Sequence, residues 1–294
     1  MNEIELPRTF LDLPRWRTGG REWLADLPAA TRERCAAWGL RVDGPVAHGS
    51  HAIAVPVTRD GAPFVLRMTP PGPDVGAQIA ALRFWDGRGT VLLHETDAEG
   101  GAMLLERLDG SRSLRDVPVG EALPALGRMM RRLAVTGPPP GAPSTADLAR
   151  ERAASLAADW RRLGGPFDAA FLAAALDAAP GLSVAAGDVA VNGDVHSDQV
   201  LRGTREPWLT VDPVLLRGDV AYDLARALWT RLDEMPSAAA VVGHFDAAAR
   251  EAEVDRDRAR DWVVFRAVDY WLWGLGAGLT EDPPRCHRLA SALV

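Results

Sequence analysis

The chain of 294 residues contains no lysine, and all 33 of its basic residues are arginine. Any task that a lysine usually performs, such as steadying a phosphate with a point charge, therefore falls to a planar guanidinium or is left undone. Cysteine is nearly as scarce. Cys35 and Cys286 are too few for a disulfide framework or a four-thiolate zinc site, and they suggest a reducing, cytoplasmic setting. The six histidines are scattered, without the set of spaced pairs that a zinc hydrolase needs. No Gly-x-Ser-x-Gly elbow is present, which excludes a serine hydrolase built on one. No apolar run approaches the length of a membrane span. The acidic start Met1-Asn2-Glu3-Ile4-Glu5 lacks the basic and apolar regions of a signal peptide, so none is expected. A net charge of -7 argues against a nucleic-acid partner and suits a cationic small molecule.

What is present is enough apolar residue, 47% of the chain, to bury a sizeable core in two lobes. Glu22 to Trp38 carries apolar residues at helical spacing, interrupted at Pro28. Three short strands follow over 40–46, 52–58 and 63–68, with Asp60-Gly61 as the hairpin and His48-Gly49-Ser50-His51 as a tight turn. A helix is expected from about Val75 to Trp85, then two more strands near 91–95 and 102–106. After Leu108-Asp109-Gly110 the pattern turns helical, over 121–135, 146–163, 167–178, 220–232, 238–252 and 255–275. The expected fold class is α+β: a small antiparallel-sheet lobe over 1–110 and a larger helical lobe over 111–294.

The chemistry concentrates in Asn192-Gly193-Asp194-Val195-His196-Ser197-Asp198-Gln199, which follows the apolar run Val189-Ala190-Val191. Leu209-Thr210-Val211-Asp212-Pro213 is a second short apolar run that ends in a carboxylate. Gly-Asp and Asp-Pro pairs taken singly mark turns. Two strands that each deliver an Asp at their ends are also what phosphoryl transfer from a nucleotide needs, one acid to deprotonate the attacking hydroxyl and one to hold Mg²⁺ against the phosphates. A third acidic segment, Gly218-Asp219 with Tyr222-Asp223-Leu224, stands where a helix begins.

These segments, with Leu104-Leu105-Glu106-Arg107-Leu108-Asp109-Gly110-Ser111-Arg112 and Arg205-Glu206-Pro207-Trp208-Leu209, resemble the aminoglycoside and hydroxyurea phosphotransferases, the streptomycin-phosphorylating group in particular. The resemblance implies a protein-kinase-like bilobal fold, with ATP and Mg²⁺ as cofactors and a small hydroxylated substrate. It makes Asp194 the catalytic base and Asp212 the metal-binding acid. Glu106 to Leu108 becomes the hinge whose backbone meets adenine, and His48 to His51, Ser50 included, the loop over the phosphates. Asp223 becomes an anchor for the catalytic loop, and antibiotic resistance the expected role.

The departures are specific. Asn192 stands where the family loop usually begins with His, and Gln199 where it ends in Asn, the second metal ligand. Gln keeps a carbonyl oxygen but is one methylene longer. Arg67 occupies the place of the ATP-binding lysine, and Gln78 aligns with the carboxylate that pairs with it. A guanidinium can fork onto two phosphate oxygens. These changes leave open a second reading, a degenerate relative that binds nucleotide or metabolite without turnover. Asp269, an acid within the apolar stretch that also holds Trp271 and Trp273, is the expected acceptor contact, because a buried acid needs a partner.

Overall fold

Asp60 and Gly61 both have positive φ, 52° and 81°, the conformation of a two-residue turn whose twist matches its flanking strands. It closes a hairpin between two seven-residue strands, Ile53–Arg59 and Ala62–Met68, in this computed structural model, which describes residues 4–17, 19–185 and 187–294. Met1–Glu3, part of the segment inspected for targeting, lie outside the described residues. Two compact units emerge, the first running to Asp109 and including Gly203–Arg205, the second comprising Gly110–Arg202 and Glu206–Val294.

In the first unit, α1 (Arg8–Leu11) and α2 (Arg21–Ala37) precede β1 (Arg41–Val42), β2 (Ala47–His48), β3 (Ile53–Arg59), β4 (Ala62–Met68), α3 (Pro73–Trp85), β5 (Leu93–Asp97) and β6 (Ala102–Glu106). The strands form one antiparallel sheet in the order β1-β3-β4-β6-β5, with β2 also paired to β3. Ile53, Val55 and Val57 alternate onto one face of β3 and are fully buried, together with Leu66, Leu104 and Leu27 of α2. Helix α2 runs unbroken through Pro28, contrary to the expected interruption. Its buried side chains Leu27, Thr31 and Cys35 pack on the sheet, and that packing outweighs the backbone bond proline cannot make.

The second unit contains β7 (Asp109–Ser113), which begins at the boundary, then α4 (Val119–Leu133), α5 (Thr145–Arg162), α6 (Ala169–Leu182), β8 (Ala190–Val191), β9 (Val200–Arg202), β10 (Trp208–Thr210), β11 (Leu216–Arg217), α7 (Leu224–Trp229), α8 (Ala238–Glu251), α9 (Arg256–Gly276) and α10 (Asp282–Leu293). The small strands make two patches, β10-β9-β7 and β11-β8. The helix expected over 220–232 is instead a 3-10 turn at Val220–Asp223, the short α7, and a second 3-10 turn at Leu232–Glu234. Asp219 caps the first turn by accepting from the Ala221 N–H at 3.0 Å. Arg231 holds the second in place by donating to the Leu114 and Val117 carbonyls, each at 2.8 Å. Long-range hydrogen bonds of this kind have no period in sequence. Among the described residues no helix is long and apolar enough to cross a membrane.

Candidate active site

Two antiparallel patches build the loop that bears the expected base. Leu216 and Arg217 of β11 pair with Val191 and Ala190 of β8, so the chain leaves β8 at Asn192 beside the end of β11. Gly193 has a φ of +67°, and a Cβ there would lie 2.7 Å from the Leu216 side chain, so the turn into Asp194 needs glycine on both counts. Asn192 is buried and accepts from the Val214 N–H at 2.8 Å through Oδ1. It thereby ties this loop to the segment that follows Asp212, a role any short polar side chain with an acceptor can fill.

Asp194 is half-buried, and both of its carboxylate oxygens have neighbours. Gln199 Nε2 donates to Oδ2 at 3.0 Å. Arg226 Nε lies 2.9 Å from Oδ1, an ion pair without the alignment of a hydrogen bond. His196 Nε2 stands 4.0 Å from Oδ2, while its Nδ1 lies 3.2 Å from Asp198. That hydrogen bond holds the Asp198 carboxyl below the usual carboxylate range despite partial burial. His196 is thus a loop fastener turned toward Asp198. Ser197 is buried and accepts from Arg231 at 3.1 Å, which fixes the base of the same loop.

The β9–β10 pairing sets the Gln199 backbone opposite Val211, the residue before Asp212. Thr210 faces Val200, and one step further the Val211 N–H donates to the Gln199 carbonyl at 3.0 Å. Asp212 follows directly, half-buried. The Gln199 amide spends its NH₂ on Asp194, and its Oε1 is buried with no hydrogen-bond partner. A buried carbonyl oxygen left unpaired costs free energy unless something accepts its lone pairs. An amide oxygen next to a carboxylate is the hard-oxygen donor set that Mg²⁺ takes when phosphates and water supply the rest. No cluster of three or more His, Cys, Asp or Glu able to hold a metal occurs among the described residues. The Gln199 amide oxygen and the Asp212 carboxylate are donors of the kind that fit a cation also bound by phosphates.

Asp223 lies beneath this loop and is fully buried. Burial drives its carboxyl up to about 7; the nearby Arg266 opposes the shift, the Asp194 charge adds to it, and the Val195 N–H opposes it again. That backbone contact ties Asp223 to the residue after the base.

In the first unit, Arg67 is the next-to-last residue of β4, opposite Ala54 of β3 and Met103 of β6, and is half-buried. Gln78 is half-buried on α3. Ser50 is exposed in the turn after β2, and its carbonyl accepts from Arg15 at 3.0 Å. Glu106 ends β6. Its carboxylate accepts from the Leu92 N–H and from Arg205, both at 3.0 Å, while its own N–H donates to the Leu92 carbonyl at 2.9 Å. Leu108 lies in the two-residue link between β6 and β7.

Asp269 is on α9, distant in sequence from the loop, in a groove of about 570 Å³ lined by Arg152, Asp159, Arg162, Tyr270 and Trp273 among others. Arg152 bridges two acids, 2.7 Å to Asp269 and 3.0 Å to Asp159. Burial raises the Asp269 carboxyl, and the adjacent Arg152 charge holds it back. Trp273 is 55% exposed, whereas Trp271 is buried and stacks on Phe167. Tyr270 connects the groove to the loop: its ring stacks on Trp229 with centroids 4.5 Å apart, and its hydroxyl is 3.5 Å from Arg226. Arg226 is the functional residue that reading the sequence missed. The available signal was an arginine inside Leu224-Ala225-Arg226-Ala227-Leu228-Trp229, where every neighbour is buried and a charge needs a partner.

Comparison with known proteins identifies the family and the fold. The profile of a family described as aminoglycoside/hydroxyurea antibiotic resistance kinase matches residues 37–278. A streptomycin 6-kinase of Streptomyces griseus is 36% identical over 94% of this chain and 92% of its own length. A hydroxyurea phosphotransferase of Kitasatospora aureofaciens is 33% identical over 99% of this chain and 86% of its own. Among solved structures, the apo form of a thermostable mutant of the aminoglycoside phosphotransferase APH(4)-Ia superposes with a TM-score of 0.60 at 19% identity, over 89% of this chain and 97% of that one. The choline kinase LicA of Streptococcus pneumoniae gives 0.58 at 10% identity, over 91% and 98%. The fold is α+β and protein-kinase-like.

Proposed function

This chain belongs to the aminoglycoside/hydroxyurea antibiotic resistance kinases, and on that footing we propose that it transfers the γ-phosphoryl group of ATP to the hydroxyl of a small polar acceptor. The acceptor is an aminoglycoside of the streptomycin kind or hydroxyurea, and modifying it would confer resistance. The single observation that carries this reading is the arrangement at Gln199, whose amide holds Asp194 with one end and presents a buried, unpartnered oxygen with the other, while its backbone carbonyl accepts from the residue before Asp212.

Asp194 accepts the proton of the acceptor hydroxyl as its oxygen bonds to the γ-phosphorus. The bond from that phosphorus to the bridging oxygen breaks, and ADP leaves with the electron pair. Gln199 keeps the carboxylate facing the hydroxyl. Arg67 steadies the phosphates with a guanidinium fork in place of the usual ammonium. Glu106 to Leu108 offers backbone to the adenine edge, and because the Glu106 N–H is already donated to Leu92, that role rests on the Glu106 carbonyl and on Leu108. Ser50 and its turn cover the phosphates. Asp212 and Gln199 would hold Mg²⁺, which when bound supplies charge neutralisation on the phosphates. Asp223 anchors the loop through Val195. Asp269, with Asp159 and the exposed face of Trp273, receives the cationic part of the acceptor, in competition with Arg152.

The test is ADP release by the purified protein with ATP, Mg²⁺ and either streptomycin or hydroxyurea, with mass spectrometry of the product. One added phosphate on the acceptor, lost in Asp194→Ala, supports the reading. Nucleotide binding without turnover across an acceptor panel would instead establish binding without catalysis.

A further inference from the structure

A carboxylate that accepts a proton from a weakly acidic alcohol must keep one lone pair aimed at it, and a free carboxylate rotates about its Cβ–Cγ bond. In this chain rotation of Asp194 is opposed from two elements. Gln199, on the same loop, takes Oδ2. Arg226, on α7, lies 2.9 Å from Oδ1 through Nε. The arginine is itself held by three groups. Its Nη1 reaches the Tyr270 hydroxyl at 3.5 Å, and that hydroxyl donates to Asp282 of α10 at 3.1 Å. Its guanidinium lies 5.7 Å from the Trp229 ring and 5.8 Å from the Tyr270 ring. Burial disfavours the charge of Arg226, yet Asp194 first and Tyr270 second more than compensate, and the guanidinium is more basic than an exposed one. Such a cation is expensive to place in an apolar helix, and among the described residues its close anionic contact is the Asp194 carboxylate.

We infer that Arg226 is the positioning residue of Asp194, and that through Tyr270 it links the base to the groove of Arg152, Asp159 and Asp269. The inference rests on Asp194 being the base. Arg226 transfers no proton and touches no substrate. It fixes which oxygen of Asp194 faces the hydroxyl, while the Tyr270 side chain, which lines the groove, registers what occupies it.

The experiment compares Arg226→Met, Arg226→Lys, Tyr270→Phe, Asp194→Asn and the Asp194→Asn/Arg226→Met pair. The probe is streptomycin, with streptomycin-dependent ADP release as the rate measured for every variant. Arg226→Met is expected to lower kcat by about 10²-fold with KM for ATP within about twofold, as misplacement of a reacting group does. Arg226→Lys keeps the charge but cannot reach Asp194, the tyrosine hydroxyl and both rings at once, and recovers part of the rate. Tyr270→Phe lowers kcat several-fold. The decisive readout is the pair: in the Asp194→Asn background, adding Arg226→Met costs no further rate, since a residue acting only through Asp194 has nothing left to position. A merely structural Arg226 would lower both backgrounds alike, with a matching fall in Tm, and that result overturns the inference. So does a folded Arg226→Met with wild-type kcat. Should Arg226→Met not fold, Arg226→Lys in both backgrounds reads the same coupling. If Asp194→Asn is fully active the base assignment itself has failed. If Asp194→Asn is inactive but Arg226→Met is not, only the positioning role has.

Discussion

Two places in the second unit pair arginine with carboxylate, and they do so to opposite effect. In the groove between α5 and α9, Arg152 serves both Asp269 and Asp159, and Arg162 adds a further contact to Asp159. Each acid there has a cation, and the set is self-compensated. At the loop, Arg226 contacts the Asp194 carboxylate, while the Gln199 amide leaves a buried oxygen without a hydrogen-bond partner. A compensated site yields only to a ligand that replaces what it displaces; an unsatisfied one rewards the arriving group. In the proposed function, the difference separates holding an acceptor from reacting with it.

The largest expected effect tests the reactive side of that contrast. Asp194→Ala should lower kcat by about 10²- to 10⁴-fold, the usual worth of a general base, with ATP affinity in a thermal-shift titration little changed. Next comes Gln199→Leu, which removes both jobs of the amide. Its kcat should fall by about 10²-fold, and the Mg²⁺ concentration for half-maximal rate should rise, because positioning and a ligand are lost together. An unchanged Mg²⁺ requirement would remove Gln199 from the ligand set and leave it only its hold on Asp194. Asp269→Asn addresses the compensated side. It should raise KM for streptomycin by about tenfold, the equivalent of about 1.4 kcal/mol, with kcat nearly kept. A drop in kcat alone would move Asp269 out of the acceptor site.

The smallest effect concerns Asp223, which has neither arrangement. Its folded carboxyl titrates at about 7, against roughly 3.9 for an unfolded Asp. Between those values the folded chain keeps a proton that the unfolded chain has lost, so stability declines as pH rises through the window and levels off above it. Thermal melts should therefore show wild-type Tm falling from about pH 5 to 7 relative to Asp223→Asn, by a few degrees. A parallel pair of curves would mean that Asp223 carries no such proton.

How much of this could be read in advance depended on range. The loop from Asn192 to Gln199 and the Asp212 segment were legible because short apolar runs, a glycine and an acid follow one another within a few residues. The Asp60-Gly61 hairpin was legible for the same reason. Helix α10 went unread, since Asp282-Pro283-Pro284 opens it with the residues that also make turns. The break of the expected 220–232 helix was illegible because the Arg231 contacts to Leu114 and Val117 come from another stretch of chain. Asp269 was rightly singled out as an acid needing a partner, but sequence could not show that Arg152, a whole helix away, already served it.

The amino-acid order by itself determined the chemistry on offer: two acids after two short strands, a glutamine in the loop and an arginine in the sheet, and no lysine. Local periodicity and turn stereochemistry act over a few residues, so such features survive in one dimension. Only the tertiary structure decided which arginine grips which carboxylate, because that choice is made by burial. Arg226 is carried to Asp194 by the packing of α7, and Arg152 to Asp269 by the packing of α5 on α9, contacts set by the shape of a core rather than by neighbours along the chain.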